Sequence, residues 1–173
     1  LATNHYPDSK SDFCTMFMER NLQMAVNRGY VAMITMQSWM FLSSYEKLRE
    51  KLIDTTTFHS MAHLGTRAFD SIGGEVVSTT AFVIERCHQG KKKGNFLRLI
   101  DGTSESEKIK DFKEALNNPN CGRFYRVSAD EFKKIPGSPI AYWVSDKIFL
   151  IFGGNRALSA VAKPCVGLQT ADN

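Results

Sequence analysis

Gly29-Tyr30-Val31-Ala32-Met33-Ile34-Thr35 is the stretch on which the fold turns. Tyr30 to Ile34 is apolar without alternation, the texture of a strand buried on both faces of a parallel sheet. Upstream of it, Ser9-Lys10-Ser11-Asp12 reads as a capping start, and Phe13, Met16, Phe17 and Met24 fall on one helical face. Gly29 offers a left-handed stop, so the pattern predicts a helix over 12–28. A helix leading into such a strand is a βαβ fragment. Downstream, Ser43-x-x-Glu46 opens a second helix with Tyr45, Leu48 and Leu52 on one face, and Thr55-Thr56-Thr57 then favours extension. The order is α, β, α, β.

Further along, a strand through Phe58 to Leu64 and a β-rich run from Val76 to Ile84 flank the loop Phe69-Asp70-Ser71-Ile72-Gly73-Gly74. The glycine pair supplies positive backbone dihedrals, for either a tight reversal or the close approach of a ligand. His88-Gln89-Gly90-Lys91-Lys92-Lys93-Gly94 is a basic surface loop, followed by a short strand at Phe96 to Ile100. Ser104-x-x-Glu107 is another capping box, and the helix it starts carries Ile109, Phe112 and Leu116 before Asn117-Asn118-Pro119 stops it. A strand at Phe124 to Val127, a cap at Ser128-x-x-Glu131 and the loop Ile135-Pro136-Gly137-Ser138-Pro139 complete the readable pattern. A soft boundary near 101–122 divides an α/β region, 1–101, from a connector and following region, 102–173.

A strand as apolar as Tyr30 to Ile34 calls for a helix on each face and a strand on each side. Only the strands near 57–64 and 76–86 are at hand, so one of its edges stays open, and the domain is expected to be incomplete. Leu1 in place of an initiator Met fits a chain that starts inside a longer gene product.

With 43% hydrophobic and 23% charged residues over 173 positions, the chain is globular rather than a disordered tail. Its apolar runs fall far short of the roughly 20 residues that cross a bilayer, and no signal-peptide pattern opens it, so no membrane partner and a cytoplasmic home are expected. Cys14, Cys87, Cys121 and Cys165 form no Cys-x-x-Cys pair and are read as free buried thiols. The net charge of +4 permits a polyanionic partner without requiring one.

The common catalytic signatures, Gly-x-Gly-x-x-Gly, Walker-type, Gly-x-Ser-x-Gly and His-Glu-x-x-His, are missing from the sequence. His59 and His63 would share one side of a strand, which is too little for a metal site, and none is assigned. Asp12, Glu19, Asp130 and Glu131 read as helix-start or solvated residues. Phe69 is an aromatic in a polar, glycine-bearing loop: it either packs in a core or stacks on a base.

Tyr6-Pro7-Asp8-Ser9-Lys10-Ser11-Asp12-Phe13, Met18-Glu19-Arg20, Gly29 to Thr35, Ser38-Trp39-Met40, Leu48-Arg49-Glu50, Leu64-Gly65-Thr66-Arg67-Ala68-Phe69 and Val76 to Glu85 occur in this order along the chain. Together they resemble the gamma-type N6-adenine DNA methyltransferases. Ile135 to Trp143 and Gly167 to Asn173 look like the start of the target-recognition region of the large phage-defence members. The resemblance covers nearly the whole chain. It implies a partial class I, Rossmann-like methyltransferase sheet with a following α+β connector. The parent would transfer a methyl group from S-adenosylmethionine to adenine N6 in double-stranded DNA.

Such enzymes carry a glycine-bearing cofactor loop after the first strand and an Asn-Pro-Pro-Tyr or similar tetrapeptide after the fourth. Neither motif is in this sequence, and Asn118-Pro119, followed by Asn120, is not the tetrapeptide. The chain is therefore expected to hold no catalytic or cofactor-binding residue and to be inactive by itself, its partners being DNA, the upstream half and other defence-system subunits. What carries over is Phe69 as the wall that stacks on the flipped adenine, with Gly73, Gly74, Glu75 and Val76 in the pocket-side loop. Arg67 and Lys91, Lys92 and Lys93 are candidates for DNA phosphate, with a solvated loop as the plainer account of the lysines. The rival reading is a non-catalytic nucleic-acid-binding or protein-interaction module that keeps the rear half of the fold.

Overall fold

The computed structural model describes residues 2–72, 77–154 and 160–162. In chain order the elements are helices α1 (Ala2–His5) and α2 (Phe13–Met24), strand β1 (Tyr30–Met36), helix α3 (Glu46–Thr55), strands β2 (Thr57–Gly65), β3 (Thr79–Glu85) and β4 (Lys93–Arg98), helix α4 (Glu105–Asn117), strand β5 (Phe124–Ser128) and helix α5 (Asp146–Gly154). Short 3-10 turns lie at Ser38–Met40, Ser43–Tyr45 and Ala129–Lys134. Among the described residues the strands form one sheet in the order β1-β3-β2-β4-β5. β2 and β4 run parallel, and the other pairs are antiparallel.

The decisive stretch is a strand, but not the central parallel one its composition predicts. β1 pairs with β3 alone, antiparallel, and so forms an edge of the sheet. Its burial alternates: Val31 and Thr35 are buried, whereas Tyr30, Ala32, Ile34 and Met36 face outward. Both sets are apolar apart from Thr35, which is why the run looked doubly buried. The open edge expected from the shortage of partners is present among the described residues.

Helix α2 forms where its cap predicted, with Asp12 accepting from the Cys14 N–H at 2.8 Å. Its orientation differs from expectation. Phe13, Phe17 and Met24 are 77%, 56% and 69% exposed, while Thr15, Met18 and Glu19 face inward. Glu19 is neither solvated nor a helix-start residue: it is buried and bonded to Ser9 and Lys51. The polar contacts of this one carboxylate and the burial of Met18 fix the roll of the helix.

α3 buries Leu48, Leu52 and Ile53, with Tyr45 just before it, as its periodicity required. The Ser43 box makes no side-chain cap; a 3-10 turn enters the helix instead. At α4, Ser104 Oγ accepts from Glu107 N–H at 3.3 Å, and Glu107 reaches back to the Thr103 N–H at 2.7 Å. This is the predicted box with its return bond moved by one residue. Ile109 and Leu116 on this helix face outward, while Ala115 is buried.

The main core lies on one sheet face, where Val31, Phe58, Met61, Phe82, Ile84 and Phe96 meet Trp39, Met40, Leu48, Leu52, Phe132, Ile140, Tyr142 and Phe149. Residues on both sides of position 101 share this core, and β5 returns to the same sheet. On the opposite face α4 covers only the β4 side, through Leu97, Leu99 and Ala115. A hollow of about 540 Å³ remains between Ile34, Ala81 and Val83 on the strands and Phe112 and Leu116 on α4. Cys14, Cys87 and Cys121 are free and half-buried rather than fully buried, and Cys165 lies outside the described residues.

Candidate functional site

Parallel β2 and β4 end at the same side of the sheet as β1, so Gln37, His63 and Arg98 come to one rim. In open α/β sheets ligands bind beyond such carboxyl ends. Gly65 closes β2 with φ +68°, where an added Cβ would lie 3.0 Å from Ile100 side-chain atoms. Only glycine allows the chain to leave the strand this way and enter the loop that carries Arg67 and Phe69.

That loop is fastened to α4. The Asp70 N–H donates to Glu105 at 2.8 Å and the Glu105 N–H donates to Asp70 at 3.0 Å, a reciprocal pair at a helix start. Lys108 is buried and donates to the carbonyl oxygens of Leu64 and Leu99 at 2.7 and 2.9 Å, tying the ends of β2 and β4 together. Phe69 is half-buried beside a hollow of about 400 Å³ lined by Ala62, Leu64, Leu99, Ile109 and Phe112. Gly73, Gly74, Glu75 and Val76 lie outside the described residues.

A hydrogen-bonded chain occupies the rim. His63 Nδ1 is 3.0 Å from the Tyr142 hydroxyl and Nε2 is 2.6 Å from Gln37 Oε1. Tyr142 is fully buried, and burial drives its phenol up out of the ordinary range, so it keeps its proton. That hydroxyl has its hydrogen bond to His63, so Tyr142 O–H donates to Nδ1 and Nε2–H donates to Gln37. Phe41, Tyr142 and Trp143 surround the imidazole at ring separations of 5.9, 6.1 and 6.2 Å. Thr79, buried and paired with Met36 and Gly65 at the same strand ends, has a hydroxyl without a hydrogen-bond partner among the described residues.

Burial, with Arg98 and Lys108 nearby, lowers the His63 pKa from 6.5 to about 4. Across that interval the unfolded chain binds a proton at this ring and the folded chain does not, so stability should fall as pH drops from 6.5 to about 4. The full loss is roughly 3 kcal/mol and ceases below the folded pKa, where both states are protonated. Urea midpoints measured across this window in the intact parent should show the slope, and His63→Leu should flatten it. An unchanged slope in the variant would refute the assignment.

His59 and His63 are not partners. His59 lies near the start of β2 and His63 near its end, so the rise of the strand puts them toward opposite ends of the sheet, and the register shift between Phe58 and Ser60 interrupts the alternation around His59. There His59 Nε2 meets Glu85 at 2.7 Å, Gln89 donates to the same oxygen at 2.7 Å, and Arg28 reaches the other at 3.2 Å. The His59 hydrogen bond, followed by Arg28 and Lys92, holds the Glu85 carboxyl below the usual range against the opposing effect of burial. Lys92 Nζ is 3.1 Å from His59 and 3.6 Å from Glu85, while the Lys91 N–H donates to Asp130 at 3.0 Å and Lys93 opens β4. The three lysines and Phe69 therefore sit at opposite ends of the sheet. Phe69 and Arg67, candidates from the sequence, lie on the loop that leaves the rim after β2, whereas Gln37, Tyr142 and Trp143, which the sequence does not single out, meet at the rim itself. Only their convergence over a separation of about a hundred residues marks them.

The family model described as Eco57I restriction-modification methylase matches residues 1–69. The Adenine-specific methyltransferase BrxX of Escherichia coli O9:H4 (strain HS) is 51% identical over 145 residues, covering 84% of this chain and 12% of its own length. The Adenine-specific methyltransferase PglX of Lacticaseibacillus casei (strain Zhang) is 44% identical over 170 residues, covering 98% of this chain and 14% of its own length. Residues 1–69 are thus similar to the Eco57I restriction-modification methylases. The chain spans only 12% and 14% of the length of these two relatives.

Its fold matches that of a type I restriction-modification methyltransferase subunit from Streptococcus thermophilus with a TM-score of 0.57 at 11% identity, over 80% of this chain and 33% of that one. A modification subunit of a putative type I restriction enzyme from Vibrio vulnificus YJ016 gives 0.55 at 11% identity, over 72% and 29%. The mixed sheet of this chain is thus of the α/β, Rossmann-like class that the resemblance implied. Among the described residues no helix is long and apolar enough to cross a membrane.

Proposed function

We propose that this chain is the rear part of an adenine-specific DNA methyltransferase and supplies one wall of the pocket that holds the extruded adenine. The observation that carries this reading is the Phe69 loop. It leaves the carboxyl end of β2 at Gly65, is bound to α4 through Asp70 and Glu105, and sets an aromatic ring beside an apolar hollow. An enzyme acting on a base must take it out of the stack and hold it against such a surface.

S-adenosylmethionine supplies the methyl group in such enzymes. The rim residues of this chain, Gln37, His63 and an Arg98–Asp101 ion pair at 3.2 Å, do not fit a methyl-donor cradle, which needs a glycine-bearing turn opening a helix. We therefore place the donor site and the clamp on the amino group in an upstream part of the parent. The apolar surface of α2 and β1 supports that partner, since Phe13, Phe17, Met24, Tyr30 and Ile34 are each more than half exposed. Residues 102–173 are assigned to the connector and the opening of a target-recognition region. Double-stranded DNA, in the cytoplasm and within a defence assembly, is the substrate. Arg67, on the same turn as Phe69, is the phosphate contact on the pocket side. Lys91, Lys92 and Lys93 would meet phosphate only on a separate stretch of duplex.

Methyl transfer by the intact parent tests the assignment. Phe69→Ala should lower kcat/KM by about 10- to 100-fold, the counterpart of roughly 1–3 kcal/mol of stacking. Phe69→Tyr should retain most of the activity. Full activity in Phe69→Ala, with unaltered fluorescence of 2-aminopurine at the target position, would overturn the reading.

A further inference from the structure

The three groups of the rim chain leave one hydrogen-bonding capacity unused. The Gln37 carbonyl oxygen is taken by His63 Nε2–H at 2.6 Å, and its backbone N–H donates to Ser78 O at 2.9 Å. Its side-chain NH₂ has no hydrogen-bond partner among the described residues, and the residue is only half-buried. Gln37 therefore turns its side-chain donors outward, with its Oε1 held toward His63. An isolated glutamine could turn its amide over and present either. Here the direction is set from behind: fully buried Tyr142 must donate, Nδ1 must accept, and Nε2 must carry the proton that Gln37 Oε1 receives.

The surroundings narrow what those donors meet. Phe41 stands edge-on to Trp143 at 5.7 Å, and Trp143 is 37% exposed beside the imidazole that Gln37 bonds, so π surfaces stand next to the rim chain. Such a setting favours a flat heteroaromatic ring over a phosphate. On adenine the exocyclic amino group is a donor and would oppose the Gln37 NH₂, whereas the ring nitrogens are acceptors.

We propose that Gln37 is a base-reading residue whose side-chain N–H donates to a ring nitrogen of the extruded adenine, with His63 and Tyr142 as the positioning residues that hold its amide in that sense. This rests on the methyltransferase reading above. Tyr142 reaches the rim from the loop after β5, so the region beyond residue 101 takes part in setting the base specificity of the pocket.

The test uses the intact parent and duplexes in which the target adenine is replaced in turn by 1-deaza-, 3-deaza- and 7-deazaadenine, with methyl transfer as the readout. Wild type should lose about tenfold in kcat/KM on one of the three, the worth of one hydrogen bond. Gln37→Leu should lose about tenfold on adenine and nothing further on that same analogue. Gln37→Glu keeps the shape and the bond from His63 but has no donor, and should behave alike. Tyr142→Phe keeps the ring packing and should show a smaller loss confined to the same analogue pattern, which a purely structural role would not produce. If the Gln37 variants match wild type on adenine, or their losses multiply with those of all three analogues, this inference is overturned while the methyltransferase reading stands. If wild-type parent transfers no methyl group to adenine in DNA, the reading beneath it fails and the inference goes with it.

Discussion

Arg49→Met should cost the fold about 3–5 kcal/mol, because it strips a buried guanidinium from the backbone carbonyl groups that it bonds. Arg49 is 1% exposed. Its Nε and Nη2 donate to Gly137 O at 2.9 and 2.6 Å, and Nη1 donates to Trp39 O and Leu42 O at 3.0 and 2.6 Å. Burial pulls its pKa down, and Glu46 and Glu50 oppose that through space without a direct ion pair. The charge is stabilised almost wholly by backbone dipoles, a geometry that the planar fork fits and a single ammonium does not. Arg49→Lys should therefore recover little.

The loss should be local as well as global. Gly137 and Ser138 lie at φ +79° and +48°, a turn that aims the Gly137 carbonyl at the guanidinium. The same turn leads into Ile140, whose N–H donates to Met40 O at 3.0 Å, and on to Tyr142. Amide exchange at Ser138 and Ile140 in the intact parent should accelerate strongly in the variant, and the urea midpoint should fall. A change below about 1 kcal/mol would show that solvent reaches these carbonyls freely, contrary to the burial described.

Phe96→Ala should be of similar size, about 3–5 kcal/mol, by leaving a cavity in the centre of the aromatic core. Phe96 is fully buried in β4. Its ring stacks on Tyr142 at 5.0 Å with an interplanar angle of 13°, lies 6.5 Å from Phe58, and takes Phe132 edge-on at 5.8 Å. Those partners come from a neighbouring strand, a 3-10 turn and a loop, so one truncation loosens three elements. Phe96→Leu, which keeps much of the volume, should cost less than half as much. Equal losses for the two variants would mean that filled volume contributes little and the ring contacts carry the effect, against the cavity argument.

Local signals were the most legible part of the sequence. Asp12 and Ser104 cap helices where their spacing placed them, and the β-branched run around Thr56 passes from α3 into β2. Phe69 stands out in the sequence as an aromatic in a polar loop without a periodic face, and the resemblance, not the pattern, suggests its stacking role. Arg49 stood only as part of Leu48-Arg49-Glu50, a motif whose reason is the Gly137 carbonyl 88 positions away. Lys92 was read as a candidate for phosphate because a run of three lysines gives no hint of the buried Glu85 that engages it.

The sequence by itself determined the α/β class, the element order from α2 to β5, the methylase resemblance and the shortage of partners for Tyr30 to Ile34. These depend on local periodicity, caps and composition, which neighbouring residues encode. Tertiary structure alone decided that β1 is an antiparallel edge strand, that α2 turns Phe13 and Phe17 outward, and that Gln37, His63 and Tyr142 form one hydrogen-bonded chain. Strand order and helix roll follow from which faces find cover, and a buried polar chain follows from where distant donors and acceptors meet. Both are properties of the whole packing, and no window of the sequence contains them.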